Sequence, residues 1–85
     1  MKAKEIRFDY EMGMNIEAIG AFVFEASRFQ AAIRIVYEGK AVDAKSILGL
    51  CSLAVPPGTL VLLEAEGEDE EAAVAHLLQF LKQEP

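Results

Sequence analysis

The amino-acid sequence predicts an α+β fold, in which three helices cover one face of a four-stranded, mostly antiparallel sheet. Along the chain, segments typical of strands are interspersed with segments whose apolar residues recur at helical spacing. A Glu-Gly pair joins two predicted strands as a tight hairpin, and each long helix has a single apolar stripe. Because such a stripe is buried against one layer, we expect an open-faced two-layer sandwich of order βαββαβα.

A glycine and a helix cap separate the first strand from the first helix. Residues 4–10 alternate polar and apolar side chains, which predicts a strand with one buried face. Gly13 can adopt backbone angles that other residues avoid, and Asn15 is a favoured N-cap residue. The helix that follows should have this apolar stripe: Ile19, Phe22, Val23 and Ala26.

The middle of the chain predicts a hairpin, a short helix and a central strand. Residues 31–37 are rich in β-branched side chains, and Gly39 supplies the positive φ for a turn into a third strand at residues 40–42. A short apolar helix is expected over residues 47–53, with Ser46 at or next to its N-cap. Residues 60–65 form an apolar strand of the kind found in the middle of a sheet.

An acidic segment introduces the last helix. Asp69 is the expected N-cap, and Glu70 and Glu71 are placed to interact favourably with the helix dipole. The predicted helix has apolar residues at i, i+3, i+4 and i+7: Val74, Leu77, Leu78 and Leu81.

Size and charge limit what this chain can do. Its 85 residues suffice for one small domain, residues 1–85, and a net charge of -6 opposes binding to nucleic acid or insertion into an anionic membrane. No His, Cys or acidic cluster has metal-ligand spacing, so neither metal nor cofactor is expected. Without an apolar signal or membrane-spanning run, the expected location is the cytoplasm.

Two reactive residue types have plain structural interpretations. Cys51 is expected to be a small packing residue, because it has no basic neighbour in sequence that would favour a reactive thiolate. His76 is expected to be a partly exposed residue in the middle of the last helix.

The start of the first helix has the form of an anion site without a phosphoryl acceptor. Free N–H groups at a helix N-terminus stabilise negative charge. However, the Asn15 amide has no nucleophilic lone pair, and Glu17 adds negative charge where an anion would bind.

Three stretches together resemble the HPr family, the phosphocarrier proteins of the bacterial sugar phosphotransferase system. They are residues 13–23, residues 44–53 and residues 57–70, which resemble the family's active-site helix start, its regulatory serine helix, and its last strand and turn. The family motif at the first stretch is Gly, an apolar residue, His, any residue, Arg, Pro. This chain instead has Asn15 for the His, Glu17 for the Arg and Ala18 for the Pro. The resemblance therefore implies a degenerate phosphocarrier site.

The second stretch implies a regulatory role. Among HPr-like proteins, the Crh type also has an amide residue in place of the His and retains the serine, which a dedicated kinase phosphorylates. Ser46 matches that serine, and Ile47, Leu48 and Cys51 resemble the patch on which the kinase and a transcription regulator dock. Partners would be proteins, including phosphotransferase components, and the chain would be a monomer or a weak or domain-swapped dimer.

Other functions stay open. A phosphocarrier in the usual HPr sense would need another phosphoryl acceptor, and a docking or assembly module would need no phosphorylation of Ser46. An enzyme is not expected, because the sequence offers no paired acid and base, no nucleophile with a base and no Gly-rich phosphate loop.

Overall fold

The secondary structure follows the predicted order. A computed structural model describes residues 1–8, 16–53, 55–56 and 58–82 of the chain. The elements are β1 (Lys2–Phe8), α1 (Ile16–Ala26), β2 (Ala32–Tyr37), β3 (Lys40–Asp43), α2 (Ile47–Leu53), β4 (Thr59–Glu66) and α3 (Glu70–Lys82). The βαββαβα order and the α+β fold class are confirmed. The first strand begins two residues before the predicted start, and Gly13, Asn15 and Tyr10 lie outside the described residues.

The sheet places β4 in its interior. Its strand order is β1-β4-β2-β3, and every neighbouring pair is antiparallel. The register sets Ile6 opposite Val61 and Ile35 opposite Leu63, and all four side chains are buried. Since side chains alternate between the two faces of a strand, these residues mark the covered face of the sheet.

The core lies between the covered face and the three helices. α3 contacts β1 and β4, α2 contacts β3, and α1 contacts both other helices. Across the sheet the helices therefore lie in the order α3, α1, α2. Each contributes fully buried or nearly buried apolar side chains, such as Phe22 from α1, Leu50 from α2 and Leu77 from α3.

The hairpin between β2 and β3 has the predicted two-residue turn. Tyr37 pairs with Lys40, so only Glu38 and Gly39 connect the strands. Their φ angles are 51° and 81°, as a type I′ turn requires at both central positions. Glycine adopts such an angle without a steric penalty, whereas Glu38 is held there by the pairing of the strands on either side.

Candidate functional site

Ser46 is the N-cap of α2, as the sequence predicts. Its Oγ accepts a hydrogen bond from the backbone N–H of Gly49 at 3.0 Å. Its carbonyl accepts the first helical hydrogen bond, from the N–H of Leu50 at 3.1 Å. Ser46 is half-buried, so the hydroxyl that caps the helix also lies close to the molecular surface.

α2 exposes apolar side chains beside this serine. The side chains of Leu48 and Ile47 are 82% and 41% exposed, whereas Leu50 and Leu53 are buried in the core. Cys51 is half-buried and packs against the core, which agrees with its interpretation as a packing residue. We call Ile47, Leu48 and Cys51 the α2 patch. The structure thus places the predicted serine directly before α2 and the predicted docking residues within the first five residues of that helix.

Phe24 of α1 is a further exposed apolar residue, and sequence analysis missed it. Its side chain is 66% exposed. Glu25 contacts α3 through His76, so successive 100° steps along the helix turn Phe24 away from α3. Phe24 therefore faces solvent, on the half of α1 that is nearer to α2 than to α3. An aromatic residue outside the apolar stripe of a predicted helix was the available signal.

The residues of the degenerate phosphocarrier site are only partly described. Asn15 lies outside the described residues. Glu17 is exposed in the first turn of α1, where its negative charge is favourable for the helix dipole. Ala18 is half-buried and packs against the core.

The residue before Ser46 connects α2 with the end of α1. The Lys45 ammonium donates a hydrogen bond to the carbonyl of Phe29 at 2.7 Å, and its backbone N–H donates to Asp43 Oδ1 at 2.9 Å. Asp69 holds the same loop from another direction, accepting hydrogen bonds from the N–H groups of Gln30 and Ala31 at 2.9 and 2.8 Å. These contacts fix the loop that faces the start of α2.

Asp69 has the predicted position, but its carboxylate has different partners. It directly precedes α3, and its carbonyl accepts a helical hydrogen bond from Ala73 at 2.9 Å. The carboxylate was expected to cap the helix, yet it accepts hydrogen bonds from the loop directly before β2. The hydrogen bond from the Gln30 N–H is the main reason why the pKa of Asp69 lies below its usual value.

His76 lies in α3 and pairs with α1. Its Nε2 is 2.6 Å from Glu25 Oε1, and the rings of His76 and Phe29 have centroids 5.4 Å apart. Glu25 also accepts a hydrogen bond from Arg28 at 3.0 Å. The hydrogen bond with His76 is the largest influence lowering the pKa of Glu25. This contact joins two helices, consistent with the structural role expected of His76.

Within the described parts of the chain, no group of three or more His, Cys, Asp or Glu side chains is arranged to hold a metal ion. The helices described there are all too short or too polar to cross a membrane.

Comparison with known proteins finds one family throughout. The family model described as "PTS HPr component phosphorylation site" matches residues 2–83. The HPr-like protein Crh of Halalkalibacterium halodurans is 39% identical over 84 residues, which cover 99% of this chain and 100% of that protein.

Solved structures agree with this match. HPr-C-His from Thermoanaerobacter tengcongensis has a TM-score of 0.91 and 38% identity, over 96% of this chain and 92% of that one. Crh of Bacillus subtilis, described as a domain-swapped dimer, has a TM-score of 0.79 and 39% identity, over 100% and 98%. Sequence, structure and family model agree over nearly the full length, and the chain therefore belongs to the HPr family of the phosphotransferase system.

Proposed function

We propose that this chain is a regulatory interaction protein of HPr type, switched by phosphorylation of Ser46 and unable to carry a phosphoryl group on histidine. The observation that carries the proposal is the position of Ser46 at the surface end of α2, directly before Ile47 and Leu48. A modification there changes the charge next to an exposed apolar patch. Similarity to Crh proteins over the whole chain supports the same role.

The loss of phosphocarrier activity follows from side-chain chemistry. A phosphoramidate needs an imidazole nitrogen with an available lone pair, and the amide nitrogen of Asn15 has its lone pair delocalised into the carbonyl. His76 is the only histidine of the chain, and its Nε2 lies 2.6 Å from Glu25 in the α1–α3 contact. Asn15, Glu17 and Ala18 would thus form a degenerate site. The chain would keep the fold of a phosphocarrier, but this site could not accept a phosphoryl group.

Phosphorylation would change recognition without unfolding the domain. When a kinase transfers the γ-phosphoryl group of ATP to Ser46, the O–P bond forms at Oγ, the hydroxyl proton leaves and ADP departs. The phosphoryl group adds about 1.5 to 2 negative charges at neutral pH. A partner would recognise it with Arg or Lys side chains and would cover Leu48, Ile47 and Phe24 with its own apolar surface.

The partners implied are proteins. They would include an HPr kinase, a transcription regulator and components of the phosphotransferase system, with residues 1–85 acting as one domain in the cytoplasm. The chain itself would act as a binding module and not as an enzyme. The swapped dimer described for Crh of Bacillus subtilis supports a monomer that also forms a weak or domain-swapped dimer.

The proposal is tested by intact mass after incubation with an HPr kinase and ATP. We expect one phosphoryl group on the native chain and none on Ser46→Ala. Ser52→Ala is the matched control, because Ser52 is an exposed hydroxyl in the same helix and should leave the modification unchanged. Modification that persists in Ser46→Ala contradicts the assignment, and no modification at all favours a docking module without a switch.

A second arm of this experiment uses enzyme I and phosphoenolpyruvate, with an ordinary HPr as positive control. We expect the control to become labelled and this chain to stay unlabelled. Stable phosphoryl transfer to this chain would contradict the loss of phosphocarrier activity, while leaving the Ser46 switch to be judged by the kinase arm.

A further inference from the structure

One peptide group between α1 and β2 is held by a cation and an anion. The carbonyl of Phe29 accepts a hydrogen bond from the Lys45 ammonium at 2.7 Å. The N–H of Gln30, in the same peptide group, donates to Asp69 Oδ2 at 2.9 Å. The C=O and N–H of a trans peptide point in opposite directions, so the two charged side chains lie on opposite sides of this group. We call the Phe29–Gln30 peptide group the bridging peptide.

The bridging peptide lets Lys45 and Asp69 act as one unit. Hydrogen bonds to charged groups are stronger than those between neutral groups, and bonds in a chain polarise one another. A cation at the carbonyl oxygen therefore makes the N–H of the same peptide group a better donor to the carboxylate. The Gln30 N–H is the main cause of the lowered pKa of Asp69, and the positive charge of Lys45 contributes to the same shift.

The turn that carries Ser46 begins at Asp43. The N–H of Ser46 donates to the Asp43 carbonyl at 3.1 Å, and the N–H of Lys45 donates to Asp43 Oδ1 at 2.9 Å. These bonds set the shape of the turn. Its first half is also anchored to the sheet, because Ala44 is buried and its N–H donates to the carbonyl of Ile33 at 2.9 Å.

The second half of this turn is tied to the rest of the fold by the Lys45 side chain. Among the hydrogen bonds of the described residues, the one from Lys45 to Phe29 is the only one that joins residues 45–46 to anything beyond the turn and α2. A groove of about 500 Å³ is lined in part by Gln30, Asp43 and Lys45, so open space lies along this side of the turn. The position of Ser46 therefore depends on the Lys45 anchor.

We propose that Lys45 and Asp69 are positioning residues for the phosphorylation of Ser46, and that they act through the bridging peptide and not through contact with the kinase. This inference rests on the proposed function. The reaction transfers the γ-phosphoryl group of ATP to Ser46 Oγ, with loss of the hydroxyl proton and release of ADP. The attacking oxygen has to lie in line with the leaving group, and a misplacement of about 1 Å can lower the rate about 100-fold. Asp69 thus influences a reaction at a residue with which it shares no hydrogen bond.

Kinetics of Ser46 phosphorylation by an HPr kinase test this proposal on folded variants. Lys45→Met keeps an unbranched side chain and removes the ammonium, whereas Asp69→Asn leaves one acceptor oxygen for two donors. Each should lower kcat about tenfold and leave KM nearly unchanged, because the α2 patch on which the kinase would dock is intact. Lys45→Arg keeps a cationic donor and should restore most of kcat. A contact between Lys45 and the kinase would instead raise KM.

The double variant tests whether Lys45 and Asp69 act together. Lys45→Met combined with Asp69→Asn should lower kcat no further than either change alone, because each already breaks the same unit. Lys40→Met and Glu68→Gln are the matched controls, since they make the same kind of change at exposed positions, and they should leave kcat unchanged. Circular dichroism at the assay temperature checks that every variant is folded.

Backbone ¹⁵N order parameters test the anchor without a kinase. Residues 45–47 should have values near 0.85 in the native chain and should fall toward about 0.6 in both Lys45→Met and Asp69→Asn, while the middle of α3 stays rigid. Unchanged order parameters in the two variants, additive losses of kcat, or a change confined to KM would each overturn the proposal. If the kinase does not modify the native chain, the proposed function fails, and the order parameters still decide whether Asp69 and Lys45 hold this turn.

Discussion

Asp69 shows how one side chain can join distant parts of a small domain. Its two carboxylate oxygens accept hydrogen bonds from the backbone N–H groups of Gln30 and Ala31. Its backbone carbonyl accepts a hydrogen bond from Ala73 in the first turn of α3. Two backbone donors in the loop directly before β2 are satisfied by a residue almost forty positions away, and these charge-assisted bonds are stronger than those of a neutral acceptor.

We expect Asp69→Asn to lower the free energy of unfolding at neutral pH, since the amide keeps only one acceptor oxygen for two donors. The folded-state pKa of Asp69 lies below its unfolded value, so its contribution is complete above the unfolded pKa and is lost as pH falls through the folded pKa. Urea unfolding at pH 7 and near pH 3 measures this difference, which should shrink in acid.

Glu68→Gln is the control for Asp69→Asn, because it removes the same charge from an exposed neighbour. It should leave stability nearly unchanged at both pH values. A difference between Asp69→Asn and the native chain that grows in acid would contradict the hydrogen-bonded carboxylate.

At the scale of elements, two glycines should respond in opposite ways to the same substitution. Gly20 lies inside α1, and a Cβ there would have no heavy atom within 4 Å outside its own helix. Gly67 has φ +151°, and a Cβ there would lie 2.7 Å from the Cα of Ala31. We expect Gly20→Ala to stabilise by about 0.5–1 kcal/mol and Gly67→Ala to destabilise by about 1–3 kcal/mol.

Chemical denaturation of the two variants beside the native chain measures both effects. Because each substitution adds one methyl group, they control for each other. Equal changes of the free energy of unfolding in the same direction would show that the added methyl group acts through the unfolded chain alone, and not through the close approach of Gly67 to Ala31.

Element types and order were predictable because hydrophobic periodicity records which face of each element is buried. The β2–β3 turn was predictable from Gly39, and the cap of α2 from Ser46. Contacts between elements were not, because nothing local relates Glu25 to His76 or Asp69 to Gln30. For the candidate site, the serine and the α2 patch were predicted, whereas Phe24 needed the order of the helices across the sheet.

At the scale of the whole molecule, one core supports every element. Leu63 is fully buried in β4, between β1 and β2. Leu63→Ala should lower the free energy of unfolding by about 2–5 kcal/mol. This is a large part of the roughly 4–13 kcal/mol of total stability typical of a chain of this length. Thermal unfolding of Leu63→Ala should therefore show a much lower Tm or no folded state.

Leu60→Ala makes the same chemical change three residues earlier in β4, at a half-exposed position on the other face. It should lower the free energy of unfolding by much less than Leu63→Ala does, because it leaves no cavity in the core. Similar losses from the two variants would mean that β4 is equally buried on both faces, contrary to the single covered face.

The pairing of β1 with β4 has a consequence for synthesis of the chain. Phe8 lies opposite Thr59, so the first strand has no partner until about fifty further residues have been translated. At about 5–20 residues per second, that takes roughly 3 to 10 seconds. The hairpin of β2 and β3 can close during this time, while β1 stays unpaired on the ribosome. Neighbouring ribosomes on one messenger RNA hold several such strands close together. Pairing between nascent chains therefore competes most strongly with the native β1–β4 pairing before β4 emerges.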